Sequence, residues 1–141
     1  MRGAGMNTRT RILIVDDDDM VRLSYLRSLA GIRANCDVTA AQDGAEALRA
    51  MEQQPSDVVL LDLRMPGMNG MAVLRAIRER WPESQVVIIT GFPSLETVKE
   101  AIEVGACDYL AKPVGPEEII CAAQGALTRK GWALQRERTE H

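Results

Sequence analysis

Apolar residues along this chain follow two different spacings. Short unbroken runs, Ile12-Leu13-Ile14-Val15, Val38-Thr39-Ala40-Ala41, Val58-Val59-Leu60-Leu61, Val86-Val87-Ile88-Ile89 and Tyr109-Leu110-Ala111, are strand length and mostly β-branched. Such runs, bounded by turn residues, read as buried strands of a parallel sheet. Between them apolar residues recur three and four apart, the spacing of one helix face. Val21, Tyr25, Leu26 and Leu29 mark a first helix. Ala45, Leu48 and Met51 share a face of a second, which Asp43-Gly44-Ala45-Glu46 opens at capping-box spacing. Asn69 is placed to cap a third helix that buries Val73, Leu74 and Ile77 and ends at Trp81-Pro82. Ser94 caps a fourth, where Leu95, Val98, Ala101 and Ile102 repeat at helical spacing before Gly105 stops it. Pro116, Glu117 and Glu118 suit the first turn of a fifth.

The order is therefore βα five times over. That alternation demands an α/β fold: a (βα)5 doubly wound parallel five-stranded sheet with right-handed crossovers and helices on both faces. In the flavodoxin-like order 2-1-3-4-5, the switch point falls between the first and third strands, where ligands bind beyond the carboxyl ends. Asp16 and Asp17 follow the first strand and Asp62 the third, while Thr90 ends the fourth and Lys112-Pro113 follows the fifth. One sheet edge thus collects three carboxylates, a hydroxyl and an ammonium.

Composition narrows the classes without changing the fold. With 141 residues, 46% hydrophobic and a formal charge of −3 at pH 7, the chain suits one globular domain and not a basic nucleic-acid binder. No apolar run reaches membrane-span length, and no signal peptide opens the chain, so a cytoplasmic location is expected. Cys36, Cys107 and Cys121 are odd in number and lack zinc or redox spacing, which fits small packing residues in a reducing compartment.

The chemistry of that edge points to phosphate. A strand-end carboxylate such as Asp62 can attack phosphorus and form an acyl phosphate; the competing reading is a turn cap before Met65-Pro66-Gly67. Asp16 and Asp17 have no basic neighbour in sequence, and packing them beside Asp62 calls for a cation. Hard oxygen ligands that share phosphate oxygens suit Mg²⁺. Lys112 supplies a fixed positive charge and Thr90 a hydroxyl donor, so that metal, ammonium and hydroxyl divide the charge on a phosphoryl group.

The segments at 12 to 18 (ILIVDDD), 60 to 70 (LLDLRMPGMNG), 88 to 91 (IITG) and 108 to 113 (DYLAKP) resemble the receiver domain of bacterial two-component response regulators. The resemblance covers about residues 11 to 128, with 1–10 as a lead-in and 129–141 as a helix extension or tail. It implies that a histidine kinase phosphorylates Asp62 in a Mg²⁺-dependent reaction. Asp17 corresponds to the direct metal ligand, Asp16 to one acting largely through water, and the backbone carbonyl of Arg64 completes the protein ligands. Tyr109 matches the aromatic that responds when Thr90 moves toward the phosphoryl group, and Gly91 leaves the phosphate reachable. Side chains at Arg64 and Phe92 stand over the path of attacking water. Family members often carry a cis peptide at the position of Lys112-Pro113. Phosphorylation is then reported on the face of the fourth helix, fifth strand and fifth helix, where a second copy can pair.

Rival readings lack residues they need. A phosphatase of the haloacid dehalogenase type requires an acid/base aspartate two residues beyond the nucleophile, where this chain has Arg64. A flavodoxin-like carrier needs a phosphate-cradling loop after the first strand, where Asp16 to Asp19 would repel the flavin phosphate. The lone His141 sits at a polar terminus, so the phosphoryl donor is external. Leu127 and Leu134 lie seven apart and allow the last helix to continue, although Gly131 costs it about 1 kcal/mol.

Overall fold

The computed structural model describes residues 9–30, 32, 36–65 and 67–139, with Met68 and residues 130–139 as backbone only. In chain order the elements are β1 (Thr10–Val15), α1 (Asp19–Ala30), β2 (Cys36–Ala41), α2 (Gly44–Gln53), β3 (Val58–Leu61), β4 (Arg64–Met65), β5 (Met68–Asn69), α3 (Gly70–Arg80), β6 (Gln85–Thr90), α4 (Leu95–Val104), β7 (Asp108–Ala111) and α5 (Pro116–Thr139). The main sheet is parallel and ordered β2-β1-β3-β6-β7. β4 and β5 form a separate two-residue antiparallel hairpin. Leaving that hairpin aside, the order is the expected 2-1-3-4-5, a flavodoxin-like fold.

The unbroken apolar runs are explained by what each strand faces. Leu13, Val15, Val59, Leu61, Val86 and Ile88 pack into one apolar layer with α2 and α3, while Ile12, Ile14, Val58, Leu60, Val87 and Ile89 pack into the other with α1 and α5. Successive side chains of a strand point to opposite faces, so the central stretches covered on both sides leave no position for a polar residue, whereas the edge strand β2 carries Asp37 and an exposed Thr39.

The helix starts follow the capping chemistry. Asp43 accepts from the Glu46 amide at 2.8 Å, and Glu46 reaches back to the amide of Gln42, one residue beyond the cap. Asn69 accepts from the Met71 amide, Ser94 forms a capping box with Thr97, and Gly105 ends α4 at φ +121°, a conformation that favours glycine.

Two helix faces differ from the expectation. In α2 the buried side is Gly44, Ala47 and Met51; Ala45, read as inward from the sequence, is exposed. With Asp43 as cap, the stripe at 44, 47, 48 and 51 meets the sheet and position 45 is rotated off it. In α4 only Ala101 is buried, with Val98 and Val104 partly so, whereas Leu95 and Ile102 are 78% and 62% exposed. α4 rests on the outer end of the sheet beside β7 and has room to bury only a narrow stripe.

The chain stays helical from Pro116 through Gly131 to Thr139. Most of the lead-in, together with Pro66 and His141, lies outside the described residues. The three cysteines form no disulfide. Among the described residues no helix is long and apolar enough to cross a membrane.

Candidate functional site

The carboxyl edge of the sheet brings together residues up to 96 positions apart in sequence. β1 ends at Val15 and β3 at Leu61, and these two residues are register partners. The residues that follow are therefore neighbours: the Asp62 amide donates to the Val15 carbonyl at 3.0 Å, and the Asp16 amide to the Ala41 carbonyl at 3.2 Å. Asp16 and Asp62 are almost wholly buried, at 1% and 5% exposure, while Asp17 faces solvent. One carboxylate oxygen from each of the three lies within 4.8 Å of the others.

Lys112 reaches into this cluster from the end of β7. Its ammonium donates to Asp16 Oδ2 at 2.8 Å and to Asp62 Oδ2 at 3.1 Å. Burial alone would lower the pKa of Lys112, but the two carboxylates together outweigh it and hold the ammonium above its ordinary value. Burial pushes the Asp62 carboxyl up, against the Arg64 amide and Lys112, which favour the charged form; Asp16 adds to the rise. One ammonium thus serves two buried carboxylates, and among the described residues the exposed third makes no ion pair. A hard, oxygen-only donor set with unmatched negative charge fits a small divalent cation.

The backbone beyond Asp62 folds back over it. The Arg64 amide donates to Asp62 Oδ1 at 3.0 Å, and the Gly70 amide donates to the Leu63 carbonyl at 3.2 Å. A Cβ on Gly70 would sit 2.4 Å from the Leu63 Cα, so this loop closes onto α3 only with glycine there. Sequence reading quoted Gly70 within a motif but gave it no task; a glycine directly after a cap asparagine was the available signal.

Thr90, at the end of β6, is buried, and its hydroxyl oxygen accepts from the Phe92 amide at 3.3 Å. The Lys112 amide donates to the Thr90 carbonyl at 2.8 Å, fixing the two strand ends side by side. Gly91 is exposed, and a Cβ there would lie 3.9 Å from Lys112 Cδ, so the space above the lysine stem is open. The Arg64 guanidinium stacks on the Phe92 ring at 4.2 Å, bridging the β4 hairpin and the loop after β6. The Lys112-Pro113 peptide is cis. Tyr109 is half-buried, and its hydroxyl is hydrogen-bonded to Thr97 on α4 at 2.8 Å.

The other two residues of the aspartate run serve the start of α1. Asp18 accepts from the Met20 and Val21 amides, and Asp19 pairs with Arg22, whose guanidinium also donates to the Asp16 carbonyl at 2.7 Å. Arg22 was not singled out from the sequence, because an arginine early in a helix carries no local sign that it turns back onto the preceding strand end.

Comparisons with known proteins agree with this geometry. The family profile described as "Response regulator receiver domain" matches residues 12–124. The DNA-binding transcriptional regulator NtrC of Escherichia coli K12 is 38% identical over 117 residues, 83% of this chain and 24% of that protein. The chain therefore spans about a quarter of the length of that relative. Among solved structures, a CheY-like receiver domain protein from Methanospirillum hungatei JF-1 superposes with a TM-score of 0.82 at 28% identity, covering 88% of this chain and 98% of that one. NtrX from Brucella abortus gives 0.80 at 32% identity, covering 92% of this chain and 29% of NtrX. Sequence, fold and the carboxylate cluster beside Lys112 together make this chain a member of the response regulator receiver domain family of two-component signalling.

Proposed function

We propose that this domain accepts a phosphoryl group from a histidine kinase on Asp62, in a Mg²⁺-dependent reaction, and relays the change to the face formed by α4, β7 and α5. The observation that carries the reading is the setting of the Asp62 carboxylate: strand-end, buried, held by the Arg64 amide on one oxygen and by Lys112 on the other, beside Asp16 and Asp17. One Asp62 oxygen bonds to phosphorus as the donor's phosphorus–nitrogen bond breaks, and the departing imidazole nitrogen takes a proton from solvent. The protein's work is to position and to neutralise. Lys112 holds positive charge against the phosphoryl oxygens, and the Thr90 hydroxyl leaves the Phe92 amide to donate to them. Asp16, Asp17, Asp62 and the Arg64 carbonyl would hold Mg²⁺, which supplies further charge neutralisation when bound. Arg64 and Phe92, stacked together, screen the acyl phosphate from water.

In this reading the receiver occupies residues 11–128, preceded by a lead-in and followed by a helix extension or tail at 129–141. It works in the cytoplasm as a signalling domain whose only chemistry is its own phosphorylation and dephosphorylation. The regulators it resembles suggest transcription as the output, delivered by other domains or partners and not by nucleic-acid contact from this acidic chain. The exposed Leu95 and Ile102 make the α4 side a candidate surface for a second copy.

Intact-mass spectrometry after incubation with a small acyl phosphate and Mg²⁺ tests the assignment. The wild type should gain one phosphoryl group, and Asp62→Asn or omission of Mg²⁺ should prevent it. Undiminished uptake by Asp62→Asn would refute Asp62 as acceptor.

A further inference from the structure

The Thr97 hydroxyl stands where two structural duties meet. As the third residue of α4 it completes the capping box: its amide donates to Ser94 Oγ at 3.1 Å, and its own oxygen accepts from the Ser94 amide at 3.2 Å. That same oxygen lies 2.8 Å from the Tyr109 hydroxyl and 3.1 Å from the Ser94 carbonyl. A threonine hydroxyl has one proton to give and two lone pairs to receive. The Ser94 amide can only donate to this oxygen and the Ser94 carbonyl can only accept from it, whereas the Ser94 hydroxyl, 3.0 Å away, and the Tyr109 hydroxyl can each give or take a proton. The phenol is the one partner of the four that comes from outside the helix cap.

The usual partner at this capping position is Glu or Gln, whose longer side chain reaches back to the cap amide. Threonine reaches it from close to the helix axis and leaves its oxygen facing β7. The consequence is a connected path around the outer end of the sheet. It runs from Thr90, through the Phe92 amide and the Ser94 cap, to Thr97, across to Tyr109, and along β7 to Lys112, which holds Asp16 and Asp62. Both ends of that path are groups assigned to the phosphoryl oxygens.

We infer that Thr97 is a positioning residue that latches Tyr109 to the first turn of α4, so that the cap of this helix and the orientation of the tyrosine change together. This rests on the phosphoacceptor reading for its role in signalling, but the latch belongs to the unmodified protein and is measurable there. While the bond holds, Tyr109 is kept toward α4 and the helix start is held against β7. When Thr90 leaves the Phe92 amide, the loop leading to Ser94 is released and the latch is loosened from the same side.

Amide hydrogen exchange on the full chain tests this without any phosphoryl donor. Tyr109→Phe keeps the capping box and removes only the phenol, so exchange in Leu95–Val98 should quicken about two- to tenfold, the effect of one net hydrogen bond. Thr97→Val removes both cap and latch and should quicken exchange more. Thr97→Ser keeps the hydroxyl and should restore wild-type protection. In the double variant Thr97→Val with Tyr109→Phe, the tyrosine change should add nothing. Unchanged exchange in Tyr109→Phe, failure of Thr97→Ser to restore protection, or fully additive effects would each overturn the latch.

A second arm separates this from the reading it deepens. After incubation with a small acyl phosphate and Mg²⁺, wild type should show faster exchange in Leu95–Val98, and Tyr109→Phe should show a smaller further change. An equal phosphorylation-induced change in the two proteins would overturn the coupling. Absence of phosphate uptake by wild type would refute the phosphoacceptor reading while the first arm still decides the latch.

Discussion

The two edges of the sheet handle buried polar groups in opposite ways. At the amino edge the contacts are made with backbone groups: the Ser84 hydroxyl donates to the Ser56 carbonyl at 2.6 Å, Asp57 accepts from the Arg11 amide at 2.8 Å, and the Arg78 guanidinium donates to the carbonyls of Pro82 and Ser84. At the carboxyl edge Asp16 and Asp62 compete for one ammonium, with Asp17 beside them. The first arrangement joins strand ends to loops through backbone groups. The second concentrates negative charge where nothing about folding requires it. Excess charge that folding does not need is the mark of a site prepared for a ligand.

The contrast can be broken most severely at Gly70. Ala at this position would drive its Cβ into the Leu63 backbone, and backbone cannot yield as a side-chain tip can. Gly70→Ala should cost about 3 kcal/mol in chemical denaturation and, because the displaced loop carries Asp62 and Arg64, should reduce phosphate uptake well beyond the loss of folded protein. Normal stability with normal uptake would show that the loop is free of α3.

At the other edge the two effects should separate. Ser84→Ala leaves the buried Ser56 carbonyl without its donor and should cost about 1–3 kcal/mol, with Mg²⁺ binding and phosphorylation of the remaining folded protein unchanged. Impaired phosphorylation at full folding would mean that the two edges are coupled.

Asp17→Asn sharpens the comparison from the site side. Removing one of three like charges should leave the cooperative melt intact or raise stability by about 1 kcal/mol or less, while abolishing most of the Mg²⁺-dependent rise in Tm. Equal Mg²⁺-dependent shifts in the two proteins would remove Asp17 from the ligand set.

An effect confined to high pH concerns Tyr25, packed beside the site on α1. Burial pushes its phenol up to about 12, with Asp16 and Asp62 adding to the rise and Lys112 opposing it. A group whose folded pKa is raised above its unfolded value of 10 contributes stability that is fully present below pH 10 and is lost as pH rises through about 12. Wild type should therefore lose stability faster than Tyr25→Phe between these limits, as read by denaturation at successive pH values. Parallel curves would show that the phenol titrates alike in both states.

Much of this was legible along the chain, for identifiable reasons. The strands were plain because a sheet covered on both faces admits only apolar residues. Asp43, Asn69 and Ser94 announced their helices because a short oxygen-bearing side chain can satisfy the free amides of a helix start. Helix faces were less secure. Ala45 and Ala47 differ only in rotation about the α2 axis, and Leu95 and Ile102 share the spacing of a buried face on a helix that finds little to cover it. Alanine carries little information about orientation, and spacing shows which residues share a face but not whether anything packs on it.

The sequence by itself determined the order of strands and helices and the strand-end polar residues, because strand period, helix period and caps are properties of neighbouring residues. It thereby placed Asp16, Asp17, Asp62, Thr90 and Lys112 at one edge. Only the tertiary structure decided how these groups are shared: that Lys112 spans Asp16 and Asp62 while Asp17 faces solvent, that Gly70 must lack a side chain beneath Leu63, and that Tyr109 finds Thr97. Each of these depends on distances between segments tens of residues apart, set by strand register and by how closely a helix approaches a loop. Local patterns in the chain carry no record of those distances.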